Sequence, residues 1–511
     1  MNLSTFNKPI TIIFVLSFLS FFGSILQSLY VYDGHHWGLM ASGAYELLDN
    51  KIPYKEIFIQ YGILTTVLHS ISLKIFSLNV ISIFYVTCFI YSISIIFFYI
   101  VIKNNSNENF GLFSVICLLL IHPFVNHPWH NYITFLFLLV SLFFLQNVGN
   151  RAKIISGIFF ALAVLSYEKF FLIFFIFLLT IFFIGIKNRS LKKFSLFTLG
   201  AIIPLIIFFS FIINKKIFSD WLNFISISDL YLNENYIILI LNFIKKIFTY
   251  GIFNFAYEPY WLFFLSLIIL NCIFVFNCLF NKDLLEKKEF VFYCAIISLA
   301  CYSSAVHSLN SFRLATGSIL GILVLIFYLQ KITNSETRYA LVTSILLVLC
   351  LGINLKKSEN NKLYIHTNID GHYKSNKIKF FENFRWKDDT WKNLIFLEDK
   401  IKKINNQCPS IQYAINLTND SYYYLMLTKN FKTFQKMPWF NTKRSLDNEA
   451  MKLINPFFRN NYVKALEKKN VVIITNDSFY FIKNYNEIKM PYSYEHKNNK
   501  ILIPTNCLIK S

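Results

Sequence analysis

Tyr32-Asp33-Gly34-His35-His36-Trp37 stands directly behind the first long apolar run of the chain. The phrase continues to Ile52-Pro53-Tyr54-Lys55-Glu56-Ile57-Phe58 and Gln60-Tyr61-Gly62. A carboxylate and two imidazoles thus sit where an apolar helix meets water. A loop with a purely structural task does not need that combination. Around it the chain reads as a membrane scaffold that presents the loop, with a soluble domain behind.

The 511 residues are 55% hydrophobic, 19% aromatic and only 15% charged, whereas soluble domains are nearer a quarter charged. Apolar runs of about 20 residues, the length that crosses a bilayer core, recur along most of the chain. The fold class that follows is a polytopic α-helical membrane protein. The net charge of +21 comes from scattered lysines in an Ile-, Phe-, Asn- and Lys-rich sequence. It suits anionic membrane lipids or phosphorylated substrates. No compact basic stripe with interleaved aromatics is present, so nucleic acid is not an expected partner. The nine cysteines form no CxxC pair and no zinc spacing. Only Cys408 and Cys507 fall in the polar tail, where a bridge between them is open to test.

Spans are expected near 10–30, 80–102, 110–123, 130–147, 152–167, 170–187, 194–213, 259–280, 289–307, 312–330 and 338–353, about 11 in all. The first is longer than a signal h-region and no small-x-small site follows, so it reads as a span, not a cleaved leader. Residues 63–78 are apolar but interrupted by His69, Ser70, Ser72 and Lys74. If they lie on the surface, Lys103, Arg151, Lys187, Arg189, Lys282, Lys288, Lys331 and Arg338 all share the cytoplasmic face with Lys8. If they cross, those basic loops face outward, against the positive-inside rule. The first outer loop therefore covers 31–78, with a short amphipathic helix from His36 to Leu48 and a surface helix over 63–78.

The opposite face collects the reactive side chains: the Asp33 loop, His122 to His130, Tyr167-Glu168-Lys169, the connection 214–259, and His307 to Arg313. From about 354 the composition changes, with 27 Lys/Arg against 14 Asp/Glu and no run long enough to span. Ile411 to Leu417 and Val471 to Thr475 read as strands, Ser421 to Leu427 and Asp447 to Lys469 as helices. The expected division is a transmembrane domain over 1–353 and an α/β soluble domain over 354–511, on the outer face.

Three readings of Asp33 stand side by side: a general base toward a hydroxyl, a metal ligand with His35 or His36, or a helix cap. Glu46 and Glu56 suit capping or solvent better than catalysis. His122, His127 and His130 share one turn, but their spacing matches no familiar zinc site. Lys169 and Arg313 are candidates for holding a phosphate, Arg313 by its bidentate fork.

Asp33 in the first outer loop, the small-residue helix after it, and Pro53-Tyr54-Lys55-Glu56-Ile57-Phe58-Ile59-Gln60-Tyr61-Gly62 resemble the GT-C superfamily of membrane glycosyltransferases. The likeness is to the protein-mannosyltransferase-like and aminoarabinose-transferase-like families, over roughly residues 1–190. It implies inverting transfer of a sugar from a polyprenyl-phosphate donor to a lipid, glycan or protein acceptor at the periplasmic face of a bacterial inner membrane. Asp33 matches the catalytic carboxylate. Lys169 or Arg313 would contact the donor phosphate. His35, His36, Glu56, Tyr61, His127, His130 and His307 complete the expected substrate-binding set. Gly34-His35-His36 stands where a second acidic residue is usual, which favours a base that works without metal or other cofactor. The alternatives are a lipid-linked glycan polymerase or ligase, which His307 and Arg313 leave open, and a lipid-linked-sugar translocase. A translocase would carry polar residues through the membrane midplane; here they gather at span ends.

Overall fold

The computed structural model describes residues 8–59, 61–125, 127–168, 170–222, 236–253, 260–305, 311–332, 371–418, 420–434, 471–475, 485–491 and 499–507. Helix α1 (Lys8–Ser28) leads into α2 (His36–Leu48) and α3 (Ile63–Phe76). Then follow α4 (Ile81–Asn105), α5 (Glu108–Ile121), α6 (His130–Gln146), α7 (Asn150–Ser166), α8 (Phe170–Lys187) and α9 (Lys192–Asn214). The helical part closes with α10 (Tyr236–Phe253), α11 (Tyr260–Phe280), α12 (Lys282–Lys287), α13 (Glu289–Cys301), α14 (Ser311–Ala315) and α15 (Ile322–Ile332). Among the described residues, five helices are long and apolar enough to cross a membrane, and several shorter ones are apolar. Phe14, Phe18, Phe22 and Leu26 of α1 are exposed, a surface that water would not tolerate and lipid would. The chain is a multi-pass membrane protein.

Helix α3, like α5, is short: its 14 residues rise about 21 Å against a core of about 30 Å. Its pattern is inverted, with Thr65, His69 and Ser72 buried while Ile71, Ile75 and Phe76 are exposed. That suits a helix lying in the interface, as the charge pattern requires.

Three expectations for the spans need correction. The stretch 214–259, read only as a connection, contains the 18-residue helix α10. The expected span 312–330 is broken: α14 ends at Ala315, and a 3₁₀ turn, Ser318–Gly321, precedes α15. The backbone there is buried yet bonded, since Ser298 Oγ donates to Ser318 O at 2.6 Å. The expected span 289–307 likewise ends early as helix, passing into a 3₁₀ turn at Tyr302–Ala305. The span 338–353 and the boundary at 353/354 lie outside the described residues.

The tail carries strands β1 (His372–Lys374), β2 (Arg385–Lys387), β3 (Tyr413–Asn416), β4 (Lys432–Phe434), β5 (Val471–Thr475), β6 (Tyr485–Lys489) and β7 (Lys500–Pro504). β1 and β2 form a hairpin pair; the others form one sheet in the order β4-β3-β5-β7-β6. β3 runs parallel to β4 and β5, and β7 antiparallel to β5 and β6. Helix α16 (Asp388–Gln407) buries Trp391, Leu394, Leu397, Ile401 and Ile404, one stripe at helical spacing. Asp388 and Asp389 in its first turn favour its N-terminus. The expected strands become β3 and β5, and Ser421–Leu427 is α17; Asp447 to Lys469 lies outside the described residues. Cys408 and Cys507 are bridged, Cα–Cα 5.7 Å, across 99 residues of sequence.

The tail seats on the first outer loop. Tyr424 in α17 donates its hydroxyl to Glu46 Oε1 on α2, and Lys51 Nζ reaches the same oxygen at 2.8 Å. Burial pushes the Glu46 carboxyl up to about 7, although Lys51 pulls it down. The folded state therefore binds this proton more tightly than the unfolded chain. The stability it confers is full below the ordinary value of 4.5 and is lost as pH rises through about 7. Glu46→Gln keeps an acceptor for Tyr424 without a charge. Its unfolding temperature, followed from pH 5 to pH 8, is expected to fall less than that of the wild type; parallel curves would show that Glu46 is not the titrating group.

Candidate active site

Asp33 sits in the short loop that joins α1 to α2. Its Oδ1 accepts from the backbone N–H of His36 at 2.8 Å, so the capping reading is met. Its Oδ2 does something a cap does not require. It lies 2.7 Å from His36 Nδ1 and 3.2 Å from His127 Nδ1. His36 is fixed by the first turn of α2, and His127 comes from the turn between α5 and α6. Two elements far apart in sequence therefore converge on one carboxylate oxygen.

Burial works to raise the Asp33 carboxyl, but hydrogen bonds and charge from His127 and His36 outweigh it and hold it well below the usual range. Asp33 is an anion at neutral pH. Burial pushes His127 down, against the pull of Asp33, so this imidazole is biased toward its neutral form. Asp33, His36 and His127 also offer three ligand atoms within 4.8 Å of one another, and are the residues here that could hold a divalent ion. The three-histidine grouping read from the sequence is not formed. His122 is buried and bonds Tyr132 Oη at 2.6 Å, while His127 joins Asp33.

An aromatic wall extends from His36. The Trp129 ring lies 4.8 Å from that of His36 and stacks on Phe312 at 5.7 Å. Arg313, only 7% exposed, has its guanidinium over both rings, 5.8 Å from Trp129 and 5.6 Å from Phe312. Its Nη1 donates to Ser304 O at 3.4 Å. On the other flank Tyr61 meets Trp129 edge-on and stacks on His130 at 4.1 Å, and His130 lies 4.0 Å from Tyr167. His35 contacts His36 edge-on at 4.5 Å.

The structure thus brings together Asp33, His35, His36, Tyr61, His127, His130 and Arg313. Glu56 does not join them: its Oε2 accepts from Ile52 N at 2.7 Å and closes its own turn. Lys169 and His307 lie outside the described residues. Glu168, which precedes Lys169 in sequence, accepts from Tyr54 Oη at 2.5 Å and donates its N–H to Tyr61 O at 2.9 Å, tying the second half of the loop to the end of α7. Burial pushes its carboxyl up to about 7. Trp129 is absent from the residues singled out in sequence, although Pro128-Trp129 between two histidines is where a ring wall would be sought.

Residues 62–213 match the family described as dolichyl-phosphate-mannose-protein mannosyltransferase. No curated protein matches the sequence. Among solved structures, the apo form of ArnT from Cupriavidus metallidurans superposes with a TM-score of 0.52 at 10% identity, covering 96% of this chain and 97% of that one. The same protein bound to undecaprenyl phosphate gives 0.51 at 10% identity, again over 96% and 97%. The archaeal oligosaccharyltransferase AglB from Archaeoglobus fulgidus, in complex with an inhibitory peptide and a dolichol-phosphate, gives 0.52 at 10% identity over 92% and 69%. The chain has the fold of the GT-C superfamily of membrane glycosyltransferases, the superfamily its first outer loop resembles.

Proposed function

We propose that this protein moves a sugar from a polyprenyl-phosphate-linked donor to a lipid, glycan or protein acceptor, at the periplasmic face of a bacterial inner membrane. One observation carries the reading: a buried anionic carboxylate between two imidazoles, with one indole ring in contact both with His36 and with a buried guanidinium. Similar folds bind undecaprenyl phosphate and dolichol-phosphate, which supports a lipid-phosphate donor.

The step balances as follows. The acceptor hydroxyl gives its proton to Asp33 as its oxygen attacks the anomeric carbon. The bond from that carbon to the phosphate oxygen breaks on the opposite face, inverting the centre. Polyprenyl phosphate leaves with the bonding pair, and Arg313 stabilises the charge it carries. His36 and His127 hold the carboxylate in place and share the incoming proton. In this reading the base works without a metal, and the same carboxylate and imidazoles are the ligand set that the chelator test below addresses.

The outer-face assignment rests on the basic loops and on the Cys408–Cys507 bridge, since disulfides persist in oxidising compartments. In intact spheroplasts a membrane-impermeant reductant should make both thiols alkylatable; a bridge that opens only after lysis would reverse the topology.

Arg313→Ala should weaken donor use roughly tenfold or more, because a charge-assisted contact to phosphate is worth about 1.5–3 kcal/mol. Arg313→Lys should recover only part, since the fork is lost. Unchanged donor affinity in Arg313→Ala would move the role to Lys169.

Asp33→Asn keeps the size and the capping oxygen but removes the proton acceptor. Transfer in membrane vesicles should fall about 10²–10⁴-fold with donor binding intact. Near-normal transfer would remove Asp33 from the chemistry. Wild-type transfer abolished by a chelator and restored by Mn²⁺ or Mg²⁺ would replace the metal-free base with an ion held by Asp33, His36 and His127.

A further inference from the structure

The backbone on both sides of Asp33 is held by the tail. Arg385 N donates to Leu29 O at 2.7 Å, and Trp386 Nε1 to Val31 O at 2.9 Å. Ser421 N donates to Gly34 O at 2.8 Å. Between these bonds, Tyr32 gives its hydroxyl to Asp420 Oδ2. Asp420 is 1% exposed, and its Oδ1 caps α17 by accepting from Tyr422 N at 2.9 Å. The Tyr32 ring is seated edge-on against Trp386 and Tyr422.

Gly34 records how closely the two parts approach. A Cβ built there would lie 1.9 Å from Asp420 Oδ1 and 2.3 Å from its Cγ. A Cβ at Gly38 would lie 2.8 Å from Tyr422 N. The Asp420 carboxylate occupies the space that a side chain at position 34 would need.

We propose that Asp420 and Tyr32 are positioning residues for the Asp33 carboxylate. Asp420 acts through the Tyr32 hydroxyl and through its close approach to Gly34. It fixes the backbone on which Asp33 turns toward His127, which belongs to a different element and makes the longer of the two contacts to Oδ2, 3.2 Å against 2.7 Å. A slack loop would lengthen that contact first. This rests on the reading of Asp33 as the base. A shift of about 1 Å in a reacting group costs on the order of 10²-fold in rate, so a loop held on both sides is part of the site.

Two sets of variants in the full-length, detergent-purified protein test this. Tyr32→Phe removes one hydroxyl and keeps the ring. It should lower kcat about tenfold at unchanged donor KM, as expected for one lost hydrogen bond that acts only on orientation. Hydrogen exchange over 29–38 should rise while exchange over 413–418 stays as in the wild type. Unchanged exchange in the loop, or raised exchange with normal kcat, overturns the proposal.

The second set is a cycle. Gly34→Ala should abolish transfer. Asp420→Ala removes the three atoms that clash, Cγ, Oδ1 and Oδ2, and with them the α17 cap, so Gly34→Ala in that background should cost little beyond Asp420→Ala alone. An equal loss in both backgrounds overturns the clamp. Failure of the function reading shows separately, as normal transfer by Asp33→Asn whatever these variants do.

Discussion

Keeping a carboxylate charged away from water is the constraint on which the rest of this site depends. An ion removed from water loses hydration worth several kcal/mol even after relaxation. The loss has to be offset by donors aimed at its oxygens. Asp33 obtains three: the His36 N–H, the His36 ring and the His127 ring. Those donors dictate geometry. The first fixes where α2 begins, and the third fixes where the α5–α6 turn must reach. Pro128 and Trp129 then follow His127 into the wall that faces Arg313.

Much of this is legible in the sequence where the signal is local. Apolar runs mark the spans, and the helix expected within 63–78 is α3, with apolar side chains exposed and polar ones buried. Asp33-Gly34-His35-His36 marks the site, because capping and the His36 contact are both made within one turn. Ser421–Leu427 and Val471–Thr475 are short enough for composition to decide them. Non-local features are not legible in this way. Nothing near Asp33 announces His127, and nothing near Tyr32 announces Asp420, which lies 388 residues away. Helix α16 has the right apolar spacing, but Lys and Asn dilute it. The break between α14 and α15 is masked because Gly317 and Ser318 sit in an otherwise continuous apolar run. Only packing against Cys301 and the bond from Ser298 make the irregular backbone tolerable there.

The tail, on this view, belongs to the site. Its contacts with the outer loop run from Leu29 to Glu46, and two of them involve carboxylates buried at the seam, Asp420 and Glu46. Apolar residues would make a seam that slides. Buried carboxylates restrict the register, because a slip would separate Tyr424 from Glu46 Oε1 and Tyr32 from Asp420 Oδ2. Asp420 also accounts for Gly34. A second acidic side chain directly after Asp33 has no room, since the tail's own carboxylate stands in its place.

The separation of Asp33 from Arg313 completes the argument. Placed within reach of each other, they would form a salt bridge. The base would lose its acceptor and the guanidinium its capacity for phosphate. In an inverting displacement the attacking and leaving oxygens stand on opposite sides of the anomeric carbon, so base and phosphate clamp must face each other across a sugar. Trp129 contacts both groups: its ring lies 4.8 Å from that of His36 and 5.8 Å from the guanidinium. An aromatic face attracts the cation through its quadrupole and brings no carboxylate to it. One in-plane N–H of Arg313 is engaged, since Nη1 donates to Ser304 O at 3.4 Å, and a bidentate grip on phosphate draws on the fork in that same plane.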